Sequence, residues 1–364
     1  MSSKKIPVGV LGATGMVGQN YLRLLQDHPW FEVVHAAASP QSAGKTYAEA
    51  VEGRWLMREA IPDAVAELPV NTVDDVRAAK ENCRLVFSAF NLDKKQVREI
   101  EEQYAAHLPV VSNHSAHRRT EDVPVIIPEV NPGHTAVLPA QRRNRGWEGG
   151  FLVTKPNCSV QSFLPPVHAL LAAGYPVDSL VVTTLQAVSG AGYPGTPSLN
   201  MIDNVVPYIP GEEEKSEQEP LKILGQIQDG KIVPDGAVKL SVQCSRVPVR
   251  SGHMAAVSLT FRDEKPEEDE IIEIWNHYQG EPQLQGLPSA PHPPIVVREE
   301  VDRPQPVKDR AAGGGMAVSV GRLRPCPVMD IRFVTLSHNT IRGAAGGAIL
   351  TAELLKAQGY LDRG

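Results

Sequence analysis

Short apolar runs alternate with stretches of helical spacing through the first 130 or so residues, which predicts a parallel sheet flanked by helices. Ile6–Leu11, Glu32–Ala37, Leu85–Ser88 and Val110–Ser112 read as strands. Val125–Ile127 reads as a further extended piece leading into Pro128-Glu129-Val130-Asn131. Gln19–Gln26 and Lys94–Ala106 carry the 3.6-residue spacing of helices. Residues 141–150 form a polar stretch that predicts an exposed connector; Arg142, Arg143 and Arg145 either hold an anion there or are simply solvated, the plainer reading. Beyond it the texture changes. Strands such as Ser179–Leu185 and Met254–Phe261 are separated by long loops rich in Pro and Gly, the mark of an α+β region. Residues 263–270 read as a solvated turn opening a helix over Ile271–His277, and residues 280–312 as extended surface chain.

Composition narrows the class. The 364 residues suggest two domains, or three. Hydrophobic residues at 42% and charged residues at 21% exclude wholesale disorder. The formal charge of −6, without a long basic run, argues against wrapping nucleic acid or an anionic membrane. No apolar stretch approaches the roughly 18 residues a membrane span requires, and the opening Met-Ser-Ser-Lys-Lys-Ile lacks a signal-peptide core. Cys83, Cys158, Cys244 and Cys326 are widely spaced with no CxxC pair, which argues against a disulfide scaffold or a structural zinc site and for a reducing, cytoplasmic compartment. No period of 20–50 residues recurs.

The first strand runs into Gly12-Ala13-Thr14-Gly15-Met16-Val17-Gly18. A strand, a glycine turn and a helix start place backbone amides where a dinucleotide pyrophosphate binds. The spacing is GxxGxxG, looser than GxGxxG, so its position directly after the first strand carries the argument. At the end of the second strand no carboxylate awaits a ribose; Ser39, Ser42 and Lys45 stand there instead. Hydroxyls and a lysine suit the 2′-phosphate of NADP, with an ordinary turn as the alternative. In the tail, Ile341, Ala345, Ala348, Ile349, Ala352 and Leu355 have helical spacing, and Gly343, Gly346 and Gly347 thin one face. This segment either caps the core or returns to the first domain beside the cofactor.

The sharpest chemical signal is Lys155-Pro156-Asn157-Cys158-Ser159-Val160-Gln161. A cysteine opening a helix is expected to have its thiolate stabilised, and the same amides can hold an oxyanion. Cys83, Cys244 and Cys326 read as small inert hydrophobes. Further on, Arg246-Val-Pro-Val-Arg-Ser-Gly-His253 offers a planar fork for a carboxylate and an acid–base partner for the cysteine, although a Gly-His pair is often structural. Gln186-Ala187-Val188-Ser189-Gly190 marks a strand end and a flexible loop. Glu212-Glu213-Glu214-Lys215 is either a solvated helix start or a contact to a substrate ammonium and phosphate.

Taken together, Gly12–Gly18, Ser39–Lys45, Ser112-Asn113, Pro156–Val160, Gln186–Pro194, Arg246–His253 and Ser337–Gly347 resemble the aspartate-β-semialdehyde dehydrogenases along nearly the whole chain, with the fungal and archaeal branch nearest. The resemblance implies an α/β Rossmann-type NADP-binding domain over 1–155, completed by a C-terminal helix in 337–364. It implies an α+β catalytic and dimerisation domain of the glyceraldehyde-phosphate-dehydrogenase-like type over 156–336. Under it, Cys158 is the acyl-forming nucleophile, His253 the general acid–base and Gln186 the group orienting the thioester. Arg246 grips the substrate carboxylate, Glu212 meets the amino group, and Lys215, Asn113 and Arg118 hold phosphate. Gly12, Thr14, Gly15, Met16, Val17, Ser39, Ser42, Lys45, Ser88, Ser189, Gly190 and Asn339 fall to the dinucleotide. Gln41 stands where many relatives carry a basic residue, and the glutamate run leaves open which carboxylate faces the site.

The implied reaction is attack of the thiolate on β-aspartyl phosphate, loss of phosphate, and hydride transfer from NADPH to the thioester. A homodimer or homotetramer acting on small molecules, with neither nucleic acid nor membrane as partner, is expected. The competing readings are an N-acetylglutamyl-phosphate reductase, whose blocked amine leaves Glu212 without a partner, and a non-enzymatic NADP-sensing regulator, which needs no nucleophile.

Overall fold

The protein is described here by a computed structural model covering residues 4–362. Its first layer follows from apolar runs too short for helices. β1 (Ile6–Leu11), β2 (Phe31–Ala38), β3 (Val70–Thr72), β4 (Leu85–Ser88), β5 (Pro109–Ser112) and β6 (Phe151–Thr154) form a parallel sheet in the order β3-β2-β1-β4-β5-β6. Val8, Val10, Leu85, Phe87, Val110 and Val111 are fully buried, as strands covered on both faces must be. All six strands point the same way, so their carboxyl ends, and the loops that follow them, share one edge.

The second sheet is mixed. Apart from the separate small hairpin β8–β9 (Gln226–Gln228, Lys231–Val233), the remaining strands form it: β7 (Val177–Ala187), β10 (Lys239–Val247), β11 (His253–Phe261), β12 (Ile295–Arg298), β13 (Val318–Pro325) and β14 (Ile331–Ser337), in the order β10-β7-β11-β14-β13-β12. β7 and β10 run parallel, with Gln186 opposite Arg246. β11 is antiparallel to β7 and to β14, with His253 opposite Ser337. Gln186, Arg246 and His253 are thereby brought to one end of three adjacent strands. The helices Val160–Ala172 and Glu268–His277 cover one face, where Trp275 Nε1 donates to the Pro166 carbonyl at 2.9 Å. The other face leaves Val181 47% and Leu185 37% exposed.

The tail belongs to the first layer. Ala345, Ala348, Ile349, Ala352 and Leu355 join Tyr21, Leu22, Phe87 and Val153 in one buried cluster. A buried two-pronged pair, Arg342 to Glu129 at 2.6 and 2.9 Å, fixes the turn before the helix Gly346–Ala357.

Three local expectations are corrected. The stretch at 141–150 is not a loop at its start: Leu138–Arg145 is helical, because Gln141 donates to the Asp122 and Leu152 carbonyls at 2.8 and 2.9 Å from a fully buried position. Two of its three arginines are engaged within the protein, Arg145 with Asp122 and Glu102, and Arg142 over the Phe151 ring, while Arg143 is exposed as expected. Phe151–Thr154, to which the apolar pattern assigns no element, is the sixth strand. Residues 280–312 contain β12, with Ile295 fully buried, rather than only surface chain.

Candidate active site

A cleft of about 560 Å³ lies where the carboxyl edge of the parallel sheet meets the β7–β10–β11 end of the mixed one. Its first wall is backbone. Gly12 adopts φ +84°, and a Cβ there would sit 2.5 Å from the Phe90 amide nitrogen. A Cβ on Gly18 would come within 2.2 Å of the Gly12 carbonyl oxygen. The turn therefore closes only without side chains, and the helix Met16–Leu25 starts with no side chain capping its first amides. Thr14, Gly15, Met16 and Val17 line the cleft. Free amides of a ten-residue helix beside a bare glycine turn fit a dinucleotide pyrophosphate.

The remaining dinucleotide expectations divide. Ser189, Gly190 and Asn339 line the cleft; Asn339 donates to Ser189 Oγ at 2.8 Å and accepts from the Gly252 amide at 2.9 Å. Gly12 supports the turn from beneath and does not line the cleft. Ser88 is turned away, its hydroxyl donated to buried Glu101 at 2.6 Å. Ser39 and Lys45 are exposed outside the cleft, while Ser42 is buried and accepts from Arg54 Nη2 at 3.5 Å. Arg54 does line the cleft, a cation the sequence reading passed over because it lies 12 residues beyond Ser42.

The second wall is made of side chains that hold one another. Cys158 is partly exposed on it, one residue before the Ser159 that begins the helix Val160–Ala172. Asn157 Oδ1 accepts from the Ser159 amide at 2.8 Å and its Nδ2 donates to Glu212 at 2.8 Å. Gly343 packs so closely here that a Cβ would lie 2.7 Å from that of Cys158. The expected depression of the thiol pKa is not what this surrounding gives. Burial pushes Cys158 up to about 11, and the Glu212 carboxylate adds to the rise. Lys155, Arg246 and Arg118 oppose it without prevailing. The resting group is the thiol.

Glu212 is the carboxylate that faces the cleft. Burial raises its pKa, but Lys215 at 2.8 Å, Asn157 and Gln186 outweigh this and hold it below the usual value. Glu213 instead accepts from the Cys244 amide at 3.0 Å, and Glu214 points to solvent. Gln186 reaches Glu212 at 3.4 Å, and Arg246 donates to the Ala187 carbonyl at 2.8 Å while lining the cleft. Asn113 and Arg118 complete the wall: Arg118 donates to the Asn113 carbonyl at 2.7 Å and pairs with Glu219 at 2.8 Å.

His253 does not line the cleft. It is fully buried beneath Gly190, where a Cβ would meet Arg246 Nη1 at 2.8 Å and His253 Nε2 at 3.1 Å. Its Nδ1 accepts the Ala187 amide at 3.0 Å, so the neutral ring carries its proton on Nε2, which has no partner. Burial first, then Arg246, His338 and Lys155, hold its pKa well below the ordinary histidine value. In this tautomer the ring can donate to an oxyanion; taking a proton at Nε2 needs the other tautomer.

Lys155, Asn157 and Glu219 also belong to the site and were not singled out as site residues. Lys155 is buried, its pKa brought down to about 7 by burial and by Arg118, and its ammonium donates to the Pro156 carbonyl. Lys155 and Asn157 flank the cysteine motif, which was the available signal. Glu219 holds the Asn157 amide at 2.5 Å as well as Arg118; its signal was the spacing of Glu212, Ser216 and Glu219 along one helix face.

Residues 7–137 match the NAD binding domain of semialdehyde dehydrogenases and residues 167–342 match their dimerisation domain. The chain is 44% identical to an aspartate-semialdehyde dehydrogenase of Archaeoglobus fulgidus over 96% of this chain and 97% of the relative. It is 45% identical to one of Aspergillus fumigatus over 99% of each. A crystal structure of aspartate semialdehyde dehydrogenase with NADP from Candida albicans superimposes with a TM-score of 0.88 at 39% identity, over 98% of this chain and 99% of that one.

Proposed function

The chain belongs to the aspartate-semialdehyde dehydrogenase family, and on that footing we propose which of its residues carry the family's reaction and how. The reaction is the NADP-dependent reductive dephosphorylation of L-β-aspartyl phosphate to L-aspartate 4-semialdehyde, a step of amino-acid biosynthesis from aspartate. The observation that carries this reading is the arrival of Cys158, Gln186, Glu212 and Arg246 on one cleft with the bare glycine turn.

Arg246 takes the substrate α-carboxylate with its free guanidinium edge, and Glu212, held ionised, takes the ammonium. Lys215, Arg118 and Asn113 hold the phosphate. This sets the acyl carbon before Cys158 Sγ; as the S–C bond closes the acyl–phosphate bond breaks, and the departing phosphate carries away the thiol proton, leaving a thioester. NADPH, when bound, supplies the hydride that reduces this thioester. The oxyanion so formed is within the province of His253 Nε2–H, and its collapse returns the thiolate and frees the aldehyde. His253 thus serves first as a hydrogen-bond donor. Gln186 orients the thioester carbonyl. Thr14 to Val17 cradle the pyrophosphate, Ser189, Gly190 and Asn339 meet the nicotinamide end, and Arg54 with Ser42 supplies the charge for a 2′-phosphate that exposed Lys45 and Ser39 do not.

We assign residues 1–155 with 337–364 to the dinucleotide-binding domain and 156–336 to the catalytic domain. The half-exposed sheet face bearing Val181 and Leu185 is the surface for a second copy, in a dimer or a tetramer. No helix among the described residues is long and apolar enough to cross a membrane, and a reducing cytoplasm suits four free cysteines. The deciding assay is phosphate-dependent NADP reduction with aspartate semialdehyde and N-acetylglutamate semialdehyde side by side. The first is expected to be turned over and the second not, because a blocked amine brings Glu212 no ammonium and must be desolvated against it. Preference for the acetylated substrate would overturn the assignment.

A further inference from the structure

Behind the phosphate-holding residues the cleft does not end. Ser115, Arg118 and Lys215 line it and also line a second groove, of about 940 Å³, between the 115–121 turn, the helix Lys94–Ala105 and the helix Glu212–Ile223. The charges along that groove are unequal. Arg118 is paired with Glu219, and Lys231 with Glu121 at 2.8 Å. Lys222 is spent on the carbonyls of Arg118, Thr120 and Val123, at 2.6 to 2.8 Å, which pins the turn. Lys94, Arg98 and Arg119 also line the groove, are exposed, and make no ion pair among the described residues. Against these three unpaired cations stands, among the described residues, one unpaired carboxylate, Glu214; exposed Glu121 is taken by Lys231. At the junction Arg118 is buried, with 7% of its surface exposed, and its Nε has no partner. A buried, under-satisfied guanidinium where a cationic groove meets the cleft is a site for an anion.

The reaction itself supplies that anion. Hydride transfer needs the nicotinamide against the acyl carbon, so the dinucleotide fills the glycine-turn side of the cleft. Phosphate, set free at Arg118 and Lys215, then has a way out on the other side, through the groove that the same residues line. We propose that this groove is a phosphate antechamber: Lys94, Arg98 and Arg119 gather inorganic phosphate and exchange it with Arg118 and Lys215 without displacing the dinucleotide. The inference rests on the acyl-phosphate reading given above and adds a route and a second binding locus to it.

The test uses the full-length enzyme in the oxidative direction, where phosphate is a substrate. In the triple variant Lys94→Gln, Arg98→Gln, Arg119→Gln, the apparent KM for phosphate is expected to rise roughly five- to tenfold through lost steering. Its dependence on ionic strength should flatten. The KM values for the semialdehyde and for NADP, and kcat at saturating phosphate, should stay as in the parent. Glu214→Gln should act in the opposite direction, lowering the phosphate KM about twofold; it keeps the test decisive should the triple variant fold poorly. Broadening of the ³¹P resonance of inorganic phosphate by Cys158→Ser protein saturated with NADP reads binding without turnover, and the three substitutions should diminish it. An unchanged phosphate KM and salt slope in the variants, or equal losses for all three substrates, would overturn the antechamber. Failure of the acyl-phosphate reading would show separately, as a parent enzyme that does not use phosphate at all.

Discussion

The two walls of the cleft are built from different material. On the dinucleotide side the material is backbone: a turn that admits no Cβ at Gly12 or Gly18 and a helix start without a side-chain cap. On the substrate side nearly every group is a charged or amide side chain held by another: Glu212 by Lys215 and Asn157, Arg118 by Glu219, Cys158 between Glu212 and Lys155. A backbone wall binds by shape and has no charge of its own to titrate. A wall of buried ions sets the proton affinity of whatever lies among them. Substitutions on the second wall should therefore disturb chemistry while leaving the dinucleotide bound, and those on the first should do the reverse.

The largest effect expected is that of Cys158→Ser. A thiol already raised to about 11 is far more acidic than the serine hydroxyl that would replace it, so turnover should fall by several powers of ten. NADP binding, followed by fluorescence titration, should be retained; loss of both would place Cys158 in the fold rather than in the chemistry. Next comes His253→Asn, with a loss of ~10²–10³ in kcat as an oxyanion donor is removed. His253→Gln, which carries an amide N–H near the place of Nε2, should regain part of it, whereas a proton acceptor would be lost equally in both variants. Since burial holds the His253 pKa well below its ordinary value, any limb in kcat/KM near pH ~6.5 should survive unchanged in the Asn variant. A limb there that vanishes in the Asn variant would restore the acid–base role.

Gly343→Ala should follow at ~10² in kcat, because the new methyl, 2.7 Å from the Cys158 Cβ, displaces the nucleophile. Slower alkylation by iodoacetamide in the same variant would locate the damage. Arg54→Gln should raise the KM for NADP by ~10-fold and leave that for NAD unchanged, the loss of one charge-assisted contact. Ser39→Asp, by contrast, should leave the preference untouched. The mildest change is diagnostic by its sign. Glu212→Gln removes a negative charge that raises the Cys158 pKa, so the thiolate fraction near pH 8 should increase and alkylation quicken even as substrate affinity falls. Slower alkylation would mean that Glu212 is not the charge the thiol feels.

The same contrast explains what could be read from the chain alone. β1 and β4 lie where the apolar runs place them, since a short stretch buried on both faces declares itself. The glycine turn was equally legible, its requirement being local. The helix Leu138–Arg145 escaped because its buried Gln141 is satisfied by carbonyls from two other segments, which leaves no periodic trace. β12 escaped because prolines surround it. In the site, Cys158 announced itself through its motif, yet its raised pKa depends on Glu212, 54 residues away, and on burial, neither of which is a property of neighbouring residues. The burial of His253 beneath Gly190 depends on strand register in the same way. Pairings between distant buried ions are set by topology.

The central claim is that an acyl group passes through Cys158 before any hydride moves. Mixing enzyme with β-aspartyl phosphate in the absence of NADPH, then quenching in acid, measures this directly. The account predicts a burst of phosphate equal to the number of active sites and one aspartyl group on the peptide that contains Cys158, lost on addition of NADPH. Phosphate release only after NADPH is added, or an adduct on any other residue, would contradict it.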